Sequence, residues 1–148
     1  MQAHFTFQFI TIVYPFVGNQ WNLGLYTAFG VVIGVCSFLI AGIAYQWQDQ
    51  PGSRWFTLLM ITLGTWSLVY SIQLGLGQKS IQLLLQRIGL AVGGAIPTIW
   101  FLFALEYGGN NAILSPRWKS IISIEPVLFG LLTLTNPFHQ MIWNATGT

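Results

Sequence analysis

The sequence predicts an all-α integral membrane protein with about four transmembrane helices. Only 5% of its 148 residues are charged and 54% are hydrophobic, which leaves too few charges to cover a water-soluble surface. The hydrophobic residues form runs of about 20, the length that a helix needs to cross the hydrocarbon core of a bilayer. Trp and Tyr residues fall near the ends of these runs, as they do at membrane interfaces.

Four apolar runs are the predicted spans of a membrane region that covers residues 23–143. The first two, residues 23–45 and 55–76, carry no charge and are separated by a polar stretch that contains Pro51-Gly52. The third, residues 83–107, contains Pro97, whose missing N–H predicts a kink. The fourth, residues 118–135, is the shortest and least apolar.

The flanks of this region and its basic residues predict an orientation. Residues 1–22 are interrupted by Pro15 and lack the basic start of a signal peptide, so we expect a short interfacial segment. Residues 144–148 form a tail. Basic residues favour cytoplasmic loops, and three of the five flank the first and third connections, against Lys79 in the second. A multi-pass protein of the cell membrane with both termini extracytoplasmic is the prediction.

Several classes of function are excluded by residue types that the chain lacks. Its five basic residues are scattered, so nucleic acid is not an expected partner. Cys36 is the single cysteine, and neither His4 nor His139 has a Cys, Asp or Glu at metal-ligand spacing. Phosphate-binding loops and nucleophile motifs are also missing. We therefore predict no enzyme, no metal and no cofactor, with the lipid bilayer as the first partner.

Polar residues near the start of the third span form one candidate site. A charge at bilayer depth costs at least about 2.5 kcal/mol and is a functional candidate by default. Arg87 and Gln86 lie here with Gln82, and Gln73 of the second span could face them. They form either an outward ligand pocket or hydrogen bonds that orient the helices.

The two acids of the spans form a second candidate site. Glu106 lies at the end of the third span, and we place Glu125 about one turn into the fourth. Both are expected in one cluster at the cytoplasmic face, with Arg117 and Lys119 as partners of Glu125. The cluster either senses or couples a signal, or is ordinary interfacial ion pairing.

Glycines spaced by four residues predict close helix packing. Gly30 and Gly34 share one face of the first helix, and Gly89 and Gly93 share one face of the third. These faces pack either within the bundle or against a second copy in a homodimer.

Two polar motifs resemble the N-terminal seven-transmembrane sensor region of prokaryotic histidine kinases. The third span ends in Phe103-Ala104-Leu105-Glu106-Tyr107-Gly108-Gly109, and Leu132 to His139 fits the family's L-x-x-T-N-x-x-H segment through Thr135, Asn136 and His139. Trp66-Ser67-Leu68 and Gln86-Arg87 also fit. The resemblance covers about residues 25–143, which is the first four helices of the family's seven.

The resemblance implies a signal-input module whose output is a cytoplasmic kinase domain in a full-length protein. Gln86, Arg87, Glu106, Tyr107, Asn136 and His139 are then candidate signalling or ligand positions. Glu125 is a further candidate, and it stands where the family pattern leads us to expect an aliphatic residue before the proline. Helices five to seven, or a homodimer partner, are the expected helix partners. The chain carries no kinase element and is not expected to be a kinase alone. The alternative is a small oligomeric four-helix protein, either a scaffold or a transporter or channel subunit.

Overall fold

A computed structural model describes residues 20–76, 78–109 and 116–139. These residues form four helices: α1 (Gln20–Tyr45), α2 (Ser53–Gly75), α3 (Lys79–Tyr107) and α4 (Pro116–His139). Gly24–Tyr45, Ser53–Gly75 and Ser80–Tyr107 are each long and apolar enough to cross a membrane. The apolar part of α4, Ser120–Asn136, is shorter. The predicted all-α membrane fold is confirmed, and the interfacial segment proposed for residues 1–22 lies almost wholly outside the described residues.

The helices pack in chain order, α1 on α2, α2 on α3 and α3 on α4. Neighbouring helices are antiparallel, because residues later in one helix contact residues earlier in the next. In α3 and α4, for example, Gly94 lies against Phe129 while Ala91 lies against Gly130. The end of α1, the start of α2 and the end of α3 therefore meet at one side of the bundle, which we term the Glu106 end. The opposite side is termed the Arg87 end.

The helix interfaces are small and polar, whereas large apolar side chains face outward. Phe29 and Leu39 are each 64% exposed, as expected where lipid is the solvent. The buried residues of the described chain include four hydrophobic ones, Ala41, Leu59, Ile99 and Leu102, and seven polar ones, Ser37, Thr57, Ser67, Ser71, Thr98, Thr133 and Asn136. Small and polar residues hold membrane helices together because apolar burial gains nothing against lipid tails.

Gly30 and Gly34 bring α1 close to α2. A methyl group on Gly34 would lie 2.7 Å from Leu68 Cδ2 and 3.3 Å from the Gly64 carbonyl oxygen. Beside Gly30, the Ser67 hydroxyl donates a hydrogen bond to the Gly30 carbonyl oxygen at 2.8 Å. This face is therefore filled by α2 of the same chain, in agreement with the packing interpretation of the glycine spacing.

The second glycine pair brings α3 onto α2 in the same way. Gly93 lies against the indole of Trp66, and Gly89 lies near Val69 Cγ1. The neighbouring Gly94, which the spacing did not single out, faces α4, where a methyl group would overlap the Phe129 ring. Pro97 lies inside α3, which continues as one helix to Tyr107.

A methyl group at Gly34 is expected to destabilise the protein. Gly34→Ala should lower the free energy of unfolding by about 1–3 kcal/mol, the usual cost of overpacking, and lower the thermal midpoint measured by circular dichroism in micelles. Gly42→Ala on the same helix is the matched control, because nothing lies within 4 Å of the added carbon. Equal midpoints for the two variants would contradict this account of α1–α2 packing.

Candidate functional site

Glu106 joins the end of α3 to the start of α2. Its carboxylate accepts a hydrogen bond from the Trp55 indole Nε1–H at 2.9 Å and another from the Gly52 backbone N–H at 3.3 Å. We term these three residues the Glu106 cluster. Gly52 is the N-cap of α2 and offers no side-chain cap, so a carboxylate from another helix supplies negative charge where the helix dipole is positive.

The chain can make this contact because residue 52 is glycine. Gly52 has a φ of 81°, a left-handed conformation that side chains disfavour. A Cβ there would also lie 3.2 Å from the ring of Phe103. That ring continues an aromatic stack, with centroids 5.6 Å from those of both Phe56 and Tyr107. The Phe103–Tyr107 motif therefore packs on the Pro51-Gly52 turn.

A further hydrogen bond ties α1 to the same end. The Ser53 hydroxyl donates to the Ala44 carbonyl oxygen at 2.8 Å, and the same carbonyl also accepts from the Trp47 backbone N–H in the turn that follows α1. Hydrogen bonds and ring contacts at the Glu106 end thus connect three helices.

Glu125 lies apart from this cluster, so the predicted joint cluster of the two acids is wrong. Its carboxylate accepts a 2.6 Å hydrogen bond from the Thr98 hydroxyl of α3. Thr98 precedes Glu106 by eight residues, about 12 Å of helix. Glu125 is also nine residues into α4 rather than about one turn, because the helix begins before the apolar run. Within the described residues it forms no ion pair with Arg117, and the Lys119 side chain lies outside them.

Arg87 lies on the face of α3 that packs on α4. It precedes Gly94 by seven residues and Thr98 by eleven, spacings that return to the same helix face, and both residues contact α4. Its buried Nε atom has no hydrogen-bond partner among the described residues. A donor left without an acceptor in a buried place costs about 1–3 kcal/mol.

Two buried polar residues of α4 lie at the level of Arg87. Thr133 and Asn136 follow Phe129 by one and two turns on the same face and are 0% and 1% exposed. The Thr133 hydroxyl donates to the Phe129 carbonyl oxygen, and Asn136 also has an interaction partner. The Arg87 end of the α3–α4 interface is therefore polar and buried.

The remaining candidate positions are not gathered into one pocket. Gln82 donates to the carbonyl oxygens of Gln73 and Leu76 at the end of α2, which fits the helix-orienting interpretation. Gln86 is exposed, and Tyr107 is exposed apart from its stack on Phe103. His139 ends α4, and its side chain lies outside the described residues.

A double-mutant cycle tests the Glu106 cluster. Glu106→Gln and Trp55→Phe should each destabilise the protein, and the double variant should cost less than their sum by about 1 kcal/mol or more, because the two groups share a charge-assisted hydrogen bond. Unfolding free energies in micelles measure the cycle. Trp118→Phe replaces an exposed Trp of α4 and should be additive with Glu106→Gln, whereas additivity for Trp55→Phe would exclude the contact.

The Thr98–Glu125 contact has its own test. Thr98→Val keeps the side-chain volume but removes the donor, so we expect a loss of about 1–3 kcal/mol, while Thr98→Ser should change the free energy of unfolding little. Thr62→Val is the control, because that hydroxyl bonds only within its own helix, to the Leu58 carbonyl oxygen. Equal losses for Thr98→Val and Thr62→Val would show that Glu125 does not use the hydroxyl.

Comparisons with known proteins identify a family over most of the chain. A family model described as the N-terminal 7TM region of histidine kinase matches residues 29–148, which is 120 of the 148 residues. No curated protein matches, and no solved structure matches. The matched range contains the Glu106 cluster, the Thr98–Glu125 contact and the polar interface around Arg87. This membrane protein therefore belongs to the family of N-terminal seven-transmembrane regions of histidine kinases.

Proposed function

We propose that this chain is the signal-input part of a histidine kinase system and has no catalytic role of its own. The family match over residues 29–148 carries the proposal. A stimulus at the Arg87 end changes how α3 packs on α4, and α3 transmits the change to the Glu106 cluster. A cytoplasmic kinase domain receives it, with both termini of this chain on the other side of the membrane.

The placement of polar groups along α3 supports this route. Arg87, Thr98 and Glu106 lie on one continuous helix of 29 residues, and Thr98 and Glu106 are hydrogen-bonded to different neighbouring helices. A rotation or axial shift of α3 would change both hydrogen bonds. Because hydrogen bonds are directional and short-ranged, a small shift of α3 is enough to break them.

The same residues give less support to the alternative function, a small oligomeric four-helix membrane protein. The chain has only three acids, Asp49 in the α1–α2 turn, Glu106 at the end of α3 and Glu125 at the level of Thr98. Thr98 is eleven residues, about 17 Å, from Arg87. A second copy that lies parallel in the membrane presents its acids at the same depths, so self-association brings no carboxylate to Arg87. The faces that carry Gly30, Gly34, Gly89 and Gly93 are also covered by α2 of the same chain, so they are not free to pack against a second copy.

Histidine phosphorylation in the cell's own membranes tests the proposed function. The tagged native gene, carrying wild-type sequence, Arg87→Gln, Glu106→Gln or the control Gly42→Ala, is expressed at its own locus. Acid-labile, base-stable phosphate is then measured on the tagged protein and on proteins that co-purify with it. We expect Arg87→Gln and Glu106→Gln to change phosphohistidine about fivefold or more, in the range of allosteric couplings, and the control to match wild type.

Two outcomes would contradict the proposal. If no tagged complex contained phosphohistidine, the chain would not be coupled to a histidine kinase. Phosphohistidine that is unchanged in both charge variants, at equal protein abundance, would show that these residues do not transmit a signal.

A further inference from the structure

A groove lies on the outer surface of the bundle near the Glu106 end, between α1 and α2. Its volume is about 460 Å³, and it is lined by Tyr45, Gln48, Arg54, Thr57, Leu58 and Ile61. The groove opens away from the Glu106 cluster, since Arg54 is exposed while its neighbour Trp55 turns to α3.

The lining changes from polar to apolar along the direction of the membrane normal. Arg54 is in the first turn of α2, and Leu58 and Ile61 follow it by one and two turns on the same helix face. Both apolar residues are 41% exposed. The Thr57 hydroxyl is already used by the Ser53 carbonyl oxygen. The groove therefore has a cationic end at the membrane surface and an apolar floor that extends into the hydrocarbon.

The charge at the polar end is not neutralised by the described residues. Arg54 forms no ion pair within them, although two acids lie near this end. Glu106 accepts hydrogen bonds from Gly52 and Trp55, and Asp49 lies in the turn before α2. A guanidinium binds phosphate through paired, charge-assisted hydrogen bonds, and Gln48 adds an amide donor beside it.

We propose that this groove binds an anionic phospholipid of the adjoining leaflet, with its phosphate on Arg54 and one acyl chain along Leu58 and Ile61. The proposal is independent of the signalling role, because it depends only on the groove and its charge. A bound lipid bridges the end of α1 and the start of α2, so it stabilises the part of the protein that holds the Glu106 cluster.

Lipid binding by the purified full chain tests the proposal. Native mass spectrometry counts phosphatidylglycerol and phosphatidylcholine molecules retained from mixed micelles, and circular dichroism measures the thermal midpoint with each lipid. We expect wild-type protein to retain phosphatidylglycerol preferentially and to unfold at a higher temperature with it. Arg54→Gln should weaken this binding about fivefold, in line with the contribution of one basic residue near an anionic surface.

Matched variants separate the groove from general surface charge. Arg117→Gln removes an exposed basic residue from the start of α4 and should retain the lipid as wild type does, as should Arg54→Lys in large part. Ile61→Trp fills the apolar floor without changing charge and should also weaken retention. If Arg54→Gln does not fold, Ile61→Trp decides alone.

The proposal is overturned by equal retention of the two lipids, by equal losses in Arg54→Gln and Arg117→Gln, or by unchanged retention in Ile61→Trp. Stabilisation by millimolar glycerol phosphate equal to that by phosphatidylglycerol would also overturn it, since the acyl chain would then contribute nothing.

Discussion

The structure depends on one constraint, that polar groups within the hydrocarbon find their partners inside the protein. Lipid offers no donor or acceptor, so helices satisfy their own backbone and interfaces must satisfy the side chains. This explains why the described core contains more polar than hydrophobic residues. The hydrogen bond from Ser67 to Gly30 joins α2 to α1, and the hydrogen bond from Thr98 to Glu125 joins α3 to α4. Each fixes the axial position of one helix against its neighbour. Polar contacts, with the glycines beside them, set the register in which the apolar helices pack.

The Glu106 cluster shows how the same constraint is met at a helix end. The N-cap of α2 is a buried glycine with positive φ, which has no side chain to cap the helix. The Gly52 backbone N–H instead donates to the carboxylate of Glu106, which lies 54 positions later in the chain. Because the contact joins residues that are far apart in the sequence, it forms only when α2 and α3 are aligned.

Hydropathy was enough to predict the three helices that are long and apolar enough to cross a membrane, but not which residues meet between them. The apolar runs predicted α1, α2 and α3 to within a few residues, because the bilayer fixes their length. Glu106 was placed correctly at a helix end, yet its partners Gly52 and Trp55 were missed, although Pro51-Gly52 marked the turn. The Thr98–Glu125 contact depends on the antiparallel register of α3 and α4, which periodicity does not contain. Spacing also left open whether Gly30 and Gly34 face α2 or a second copy.

The buried guanidinium nitrogen of Arg87 is consistent with the input role proposed for the Arg87 end. Its buried Nε lacks an acceptor among the described residues, and such a group costs about 1–3 kcal/mol. Allosteric couplings have the same size, about 1–3 kcal/mol. A ligand or side chain that offered Arg87 Nε one hydrogen-bond acceptor would therefore stabilise the α3–α4 interface by about 1–3 kcal/mol, the size of a typical allosteric coupling. The contacts of Glu106 and Glu125 are already made, so the same addition at those residues would gain less. This difference between the residues is the reason for which we propose input at the Arg87 end and readout at the Glu106 end.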